Sequence, residues 1–255
     1  MILGFVLSTA AISSSFLNGA HLDEASENWD GNIQFNVSSA TGNTDNTVLG
    51  GKFNARRTFG RITHDFQAGG NYAEATTQNN DGTEDNEVTQ NNWFTQYRLE
   101  GKLSERTFAF GRLRYEQDEF SGFDERAFVG VGLGHALIKS DRQQLDMLIG
   151  PGFQYAKLAT PDPMPEEFEE QQTSAALFLG ESYTLAVREN VTFEQSFDAT
   201  FAEDNTTLAN ILSLKTNLTE KISSRISYQV KHETDPPEGR EQTDTLLTAS
   251  IGYDF

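Results

Sequence analysis

The four histidines are the side chains of this sequence best suited to acid–base chemistry. They lie at His21, His64, His135 and His232. Nucleophilic catalysis needs a serine, threonine or cysteine beside the histidine and a third group that orients the ring. None of the last three histidines has a serine two residues away on the same segment, as a lipid-facing His–Ser pair would need, and the chain has no cysteine. We expect no catalytic residues and interpret the strand histidines as polar groups at an interface or in a lumen.

Carboxylates form two acidic runs that could attract divalent cations. They are Asp81, Glu84, Asp85 and Glu87, and Glu166, Glu167, Glu169 and Glu170. Neither run has the calcium-loop pattern of alternating oxygen ligands, a glycine and a closing glutamate. We interpret them as solvated loops, assign no metal site and leave cation binding open.

The segments that must position these residues alternate between apolar and polar residues. In 142–156 the odd positions carry Leu145, Met147 and Ile149, whereas the even positions include Gln144 and Asp146. A period of two with one apolar face predicts a strand whose two sides meet different media. Such segments occur at 29–39, 46–58, 61–75, 88–101, 107–117, 125–138, 142–157, 172–186, 190–202, 206–218, 221–233 and 243–255. In 172–186 the phase is unclear, because Glu181 falls among leucines and a tyrosine.

Connections between these segments alternate between short and long. Thr58–Gly60, Ser140–Asp141 and Thr219–Glu220 are tight, whereas Thr76–Glu87 and Leu158–Gln171 are long and acidic. Short turns at one end and long loops at the other are typical of an outer-membrane barrel. The fold class predicted is therefore all-β, a single antiparallel transmembrane up-and-down barrel of about 12 strands. It occupies residues 28–255, and both termini are expected in the periplasm.

Composition excludes several classes of partner. The 19 basic and 38 acidic residues give a formal net charge of −19, which opposes binding to nucleic acid and to anionic membrane surfaces. No apolar run approaches the roughly 18 residues of a transmembrane helix. Residues 1–20 resemble a secretory signal, with cleavage expected between Ala10 and Ala20.

Charged side chains on the polar phase predict a lumen charge network. If Tyr97 and Leu113 face lipid, then Arg98 and Arg112 on neighbouring strands face inward, and opposite charges there would pair across the ladder. The predicted network comprises Arg98, Glu100, Arg112, Arg114, Glu116, Glu194, Asp198, Lys215, Arg225 and Lys231. It would either line a narrow pore or fill the barrel and keep it shut, and we favour the filled barrel.

The last segment ends in an aromatic residue. Leu247, Ala249, Ile251, Tyr253 and Phe255 alternate up to the C-terminal end. A final strand of this kind resembles the signal by which barrel-assembly machinery recognises its clients, with Tyr253 and Phe255 as its main residues. In a soluble protein, such an edge strand would promote aggregation.

The chain also resembles the salt-induced outer-membrane proteins, a bacterial family otherwise labelled as domain of unknown function 481. The resemblance extends from about Trp29 to Phe255. It rests on the order and spacing of Thr41–Asp45, Leu103–Arg106, Phe110–Glu116, Phe120–Asp124, Gly150–Phe153, Asp235–Pro237 and Tyr253–Phe255. It implies an outer-membrane barrel with no established activity and a level that responds to salt or alkaline conditions.

We therefore expect an outer-membrane barrel of a Gram-negative bacterium with a structural role or a narrow, porin-like channel for small solutes. Outer-membrane lipids and the assembly machinery are the expected partners, without cofactor or nucleic acid, and the oligomeric state stays open. One alternative is an outer-membrane enzyme that acts on lipid or peptide. Another is a soluble periplasmic binding barrel.

Overall fold

Twelve antiparallel strands form one closed barrel in the computed structural model, which describes residues 29–40, 45–78, 84–118, 122–160, 169–203, 205–237 and 242–255. Each strand pairs with the next one in sequence, and the last pairs with the first. The strands are β1 Asp30–Ala40, β2 Asp45–Phe59, β3 Ile62–Gln78, β4 Glu84–Lys102, β5 Thr107–Asp118, β6 Phe123–Lys139, β7 Gln143–Leu158, β8 Gln171–Arg188, β9 Val191–Ala202, β10 Thr206–Asn217, β11 Ile222–Glu233 and β12 Thr243–Asp254. The predicted fold class is confirmed.

The part of the chain that the structure describes contains no helix long and apolar enough to cross a membrane. The predicted signal at 1–20, His21, and the loop acids Asp81, Glu166 and Glu167 lie outside the described residues.

Alternation along each strand puts apolar groups outside and polar groups inside. On β7, Ile149 and Phe153 are 51% and 61% exposed on the outer face, whereas Asp146 on the inner face is fully buried. A sheet closed on itself sends successive side chains to opposite sides. The largest side chains buried in the lumen include Arg98, Gln67, Gln96 and Glu100. The barrel is therefore apolar outside and largely polar inside, apart from a group of buried rings on β5 to β8.

The two ends of the barrel differ in their connections. Gly60-Arg61 and Glu189-Asn190 are two-residue turns at what we call the short-turn end, where β1 begins and β12 ends. At the opposite, long-loop end, 159–170 and 234–242 separate consecutive strands. The long connection predicted at Leu158–Gln171 is present, whereas the one predicted at Thr76–Glu87 is shortened to 79–83, because β3 runs to Gln78 and β4 begins at Glu84.

The C-terminal residue closes the seam between β12 and β1. The amide of Gly31 donates to the Phe255 carbonyl (3.0 Å), and the Phe255 amide donates to the Gly31 carbonyl (2.9 Å). The Phe255 ring lies over Gly31, where a β-carbon would collide with it, and stacks on Phe53 of β2 at 6.3 Å. Tyr253 lies on the outer face, with the Lys221 ammonium 5.9 Å from its ring centroid. The assembly-signal role of both residues stays a prediction.

Candidate functional site

The lumen is the candidate site because all ten residues of the predicted charge network lie on the lumen-facing phase of their strands. They do not form one network. Nine of them are divided among two large clusters, two separate ion pairs at the short-turn end, and an arginine held between aromatic rings, and the tenth, Asp198, lines a cavity.

The first cluster lies in the short-turn half of the lumen, on β2, β3 and β4. Arg56, Asp65 and Arg98 stand in one row across these strands, and Glu100 is two residues from Arg98. Arg98 Nε lies 2.7 Å from Glu100 Oε1, and Arg98 Nη2 lies 3.7 Å from Asp65 Oδ2. Arg56 contacts the same two carboxylates at 3.2 and 3.5 Å. We call these four residues the Arg98 cluster. Two cations and two carboxylates alternate there, so the buried charge is compensated.

Arg112 extends the row, directly opposite Arg98 in the β4–β5 register. Its neighbour on the other side is Gly130, where a β-carbon would collide with the Phe128 ring. The Arg112 guanidinium lies 4.8 Å from the ring centroids of both Phe128 and Phe178. Two aromatic faces therefore hold this cation by cation–π attraction inside the barrel.

Aromatic side chains fill the lumen beside Arg112 along β5 to β8. The buried apolar cluster consists of Phe108, Phe110, Phe128, Leu148, Ala176 and Phe178. Phe108 stands opposite Gly134 in the β5–β6 register, and a β-carbon at Gly134 would collide with its ring. The missing side chain is thus what lets the ring lie against the wall. These rings occupy space that an open channel would leave to water.

The second cluster lies in the long-loop half of the lumen. Arg126 of β6 contacts Glu116 of β5 at 2.6 Å and Glu233 of β11 at 2.8 Å. Arg114 also contacts Glu116 (2.5 Å), and Lys231 contacts Glu233 (2.5 Å). We call these five residues the Arg126 cluster. In the closed order, β6 and β11 are five strands apart by the shorter route, so the Arg126–Glu233 pair crosses the lumen.

Three more of the predicted charges, Glu194, Lys215 and Arg225, form ion pairs near the short-turn end. Arg225 forms an ion pair with Glu194, and Lys215 lies 3.0 Å from Asp254. Asp254 also accepts a 2.6 Å hydrogen bond from the Asn32 side chain. These side chains are partly exposed to the lumen.

A small cavity lies between the buried apolar cluster and the Arg126 cluster. Its volume is about 80 Å³, and it is lined by Arg112, Arg114, Glu116, Arg126, Asp198 and Lys231 among others. A water molecule takes about 30 Å³ in the liquid, so this space suits a few waters or a small ion. It is much smaller than the lumen of an open porin.

Sequence reasoning missed several partners. Arg56 and Asp65 lie on the polar phase of β2 and β3, so the same alternation could have identified them. Arg126, Glu233 and Asp254 also lie on polar phases, but the Arg126–Glu233 and Lys215–Asp254 contacts join strands that are not adjacent. The expected pairing across the ladder is present between Asp65 and both arginines of its row and between Glu116 and Arg126. Arg98–Glu100 and Arg114–Glu116, in contrast, pair within one strand.

The described histidines lie outside the lumen. His64 shares a hydrogen bond with the Tyr97 hydroxyl (2.7 Å), His135 with Thr107 (2.9 Å) and His232 with Thr243 (2.8 Å). Each partner is a hydroxyl on an adjacent strand. In the ranges that the structure describes, no three His, Asp or Glu side chains are grouped to hold a metal ion.

Comparison with solved structures finds other barrels of bacterial outer membranes. An outer-membrane channel from Pseudomonas putida F1 is 12% identical with a TM-score of 0.51, covering 89% of this chain and 95% of that chain. The translocator domain of the autotransporter NalP from Neisseria meningitidis is 8% identical with a TM-score of 0.50, covering 89% and 87%. At such identities the likeness concerns the fold alone.

Comparison of sequences identifies the family. No curated protein matches the chain. Residues 33–255 match a family described as "Protein of unknown function, DUF481", and this description mentions neither salt nor an activity. The barrel, the span of the match and the resemblance noted in the sequence agree, and the chain belongs to the DUF481 family.

Proposed function

We propose that this protein is an outer-membrane barrel whose lumen is closed by its own side chains, so that its role is structural. The observation that carries the proposal is the Arg126–Glu233 ion pair across the lumen. Strands about 4.8 Å apart and tilted by about 40° would give a round twelve-stranded barrel a width of roughly 24 Å. Two side chains cannot bridge that width, so the barrel is flattened where they meet.

The closure has a second layer at the other end. The Arg98 cluster is buried in the short-turn half, and the aromatic cluster lies between the two halves. A solute that entered from either end would have to separate compensated ion pairs or displace packed rings. Both steps are costly in a low-dielectric interior.

The membrane location is supported by the outer surface. Leu113, Val131, Leu133 and Phe153 are each more than half exposed on the outer face. A continuous apolar belt around a closed barrel fits lipid chains and would aggregate in water. This surface disfavours the soluble binding barrel. That the protein is no enzyme stays a prediction.

Conductance in planar bilayers tests the closed lumen. The purified barrel should give current no greater than an empty bilayer, because the Arg126–Glu233 pair crosses the lumen and packed rings fill the space beside it. A folded preparation is verified by its resistance to unfolding in detergent without heating. Regular current steps from the wild-type protein would contradict the proposal.

The second candidate is a narrow channel for small solutes. The cavity of about 80 Å³ beside Arg112 favours it, because that cavity is lined by charged side chains that can exchange partners. In this case the current would show ion selectivity, which substitutions of the lining arginines would alter.

We also propose an orientation with both termini and the short turns in the periplasm. Since the chain has no cysteine, single cysteines can report accessibility without background. A cysteine at Asp235 should react with an impermeant label on intact cells, whereas one at Ser140 should not. Reversed labelling would overturn the orientation.

The salt or alkaline response is tested by the protein level across salt concentrations and pH values.

A further inference from the structure

Glu181 is a carboxylate on the outer, lipid-facing side of the barrel. It shares the outward phase of β8 with Leu179 on one side and Tyr183 on the other. It lies seven residues before Arg188, the end of β8, which is about 23 Å along the strand at roughly 3.3 Å per residue. Outward-facing Leu185 and Val187 lie between Glu181 and that end. The carboxylate is therefore inside the apolar belt rather than at its edge.

Two amide side chains accompany Glu181 on the same face. The Gln195 Nε2 of β9 donates to Glu181 Oε2 (2.9 Å) and lies 3.3 Å from Asn210 Oδ1 of β10. Glu181 and Asn210 both stand in register with Phe197, and Gln195 lies two residues from Phe197. We call Glu181, Gln195 and Asn210 the outer triad. Three polar side chains from three strands thus meet on a surface that otherwise faces hydrocarbon.

The outer triad satisfies only part of its hydrogen-bonding capacity. Gln195 uses its amide nitrogen for both contacts, whereas the Asn210 amide nitrogen and the second Glu181 oxygen take part in neither. Lipid chains offer neither donors nor acceptors, and ionisable groups in the hydrocarbon region are costly unless another polar group meets them. A lone barrel would bear this cost permanently.

We propose that the outer face of β8–β10 binds a second copy of this chain across a two-fold axis along the membrane normal. Going around the barrel, Glu181 comes first, Gln195 second and Asn210 third. The Glu181 carboxylate can accept a hydrogen bond, Gln195 bridges the other two, and the Asn210 amide nitrogen can donate one. A two-fold axis near Gln195 reverses this order in the second copy, so each Glu181 carboxylate faces an Asn210 amide. The triad is therefore self-complementary. Polar groups that would otherwise face lipid form two hydrogen bonds between the copies.

Single-cysteine crosslinking in native membranes tests the interface. Leu212, in register with Gln195, is 38% exposed, and Leu99 on β4 is 39% exposed on the opposite side of the barrel. The axis leaves the two copies of Leu212 about two strand spacings apart, so Leu212→Cys should form dimers with a bifunctional thiol reagent that spans about 10–15 Å, at least tenfold more than Leu99→Cys. Equal or absent crosslinking of the two variants would overturn the proposal.

A second substitution then tests the triad itself. Glu181→Leu in the Leu212→Cys background should reduce dimer at least fivefold while the barrel stays folded, whereas Glu181→Gln should retain it. If Glu181→Leu fails to insert, Asn210→Leu takes its place with the same expectation. Undiminished crosslinking in a folded leucine variant would show that lipid alone meets the triad and would overturn the proposal. Conductance does not enter this test, so it stands or falls separately from the closed lumen.

Discussion

The Arg98 cluster and the Lys215–Asp254 pair both bring opposite charges together in the lumen near the short-turn end, yet their side chains differ sharply in burial. The side chains of Arg98 and Glu100 are 0% and 3% exposed, whereas those of Lys215 and Asp254 are 22% and 28% exposed. Distance does not separate them, since the closest contacts are 2.7 and 3.0 Å. The surroundings decide what each pair contributes to stability.

The two walls of the barrel explain this difference. Beside the Arg98 cluster lie Asp146 and the aromatic rings of β5–β8, which exclude water. Beside Lys215 the lumen face carries small groups such as Ser213, Ser223 and Ser250. Small side chains leave room for water, and water screens charge.

The largest loss of stability is expected from Arg98→Ala. It leaves two buried carboxylates facing Arg56 alone, at a cost of about 3–5 kcal/mol in the free energy of unfolding. Urea unfolding of the barrel in lipid vesicles measures it. The double variant Arg98→Met, Glu100→Gln should regain part of the loss, because it leaves fewer uncompensated charges. A loss below about 1 kcal/mol for Arg98→Ala would contradict the enclosed cluster.

Arg126→Ala should have an intermediate effect of about 1–3 kcal/mol, because it removes two charge-assisted hydrogen bonds. Glu116 keeps Arg114 and Glu233 keeps Lys231, so neither carboxylate is abandoned. The same unfolding assay measures it. A loss as large as that of Arg98→Ala would mean that the cross-lumen contact alone holds the flattened barrel.

Deletion of Phe255 should lower assembly more than stability. The folded barrel loses a ring stacked on Phe53 and two backbone hydrogen bonds of the seam, worth about 1–3 kcal/mol together. The amount of folded protein in the outer membrane is compared with the unfolding free energy of refolded protein. Normal insertion of the truncated chain in cells would contradict the assembly signal. Phe255→Tyr, which keeps the ring, is the control.

Lys215→Ala should have the smallest effect, about 0–1 kcal/mol, because water and salt screen the remaining Asp254 and Asn32 still donates to it. Raising the salt concentration should bring the difference in unfolding free energy between the wild type and Lys215→Ala closer to zero. A loss near that of Arg98→Ala would remove the contrast between the two regions.

Alternation made the strands predictable, because each strand separates two media and leaves a period of two along the whole segment. The phase of β8 is unclear in the sequence because Glu181 is an outward-facing polar residue within an otherwise regular strand. β4 begins at Glu84 rather than at 88. Its backbone pairs with β3 as far as the pair formed by Gln78 and Glu84, where the polar sequence shows no alternation.

The membership of the lumen and pairing across the ladder could also be predicted, but the contacts within one strand and across the lumen could not. Residues two apart on one strand share a face, so a long arginine reaches its own neighbour, as Arg114 reaches Glu116. The Arg126–Glu233 contact depends on how far the barrel flattens. That is a property of the closed sheet and of the rings packed inside it, and no local pattern encodes it.

Arg112→Ala, followed by both melting and conductance, tests the filled lumen most directly. Arg112 is buried between Phe128 and Phe178 and also lines the cavity. In a filled barrel its removal leaves a void and a less compensated Asp198, so the melting temperature should fall by several degrees while current stays at background. An unchanged melting temperature together with a clear gain in cation selectivity would contradict the filled lumen and establish a channel.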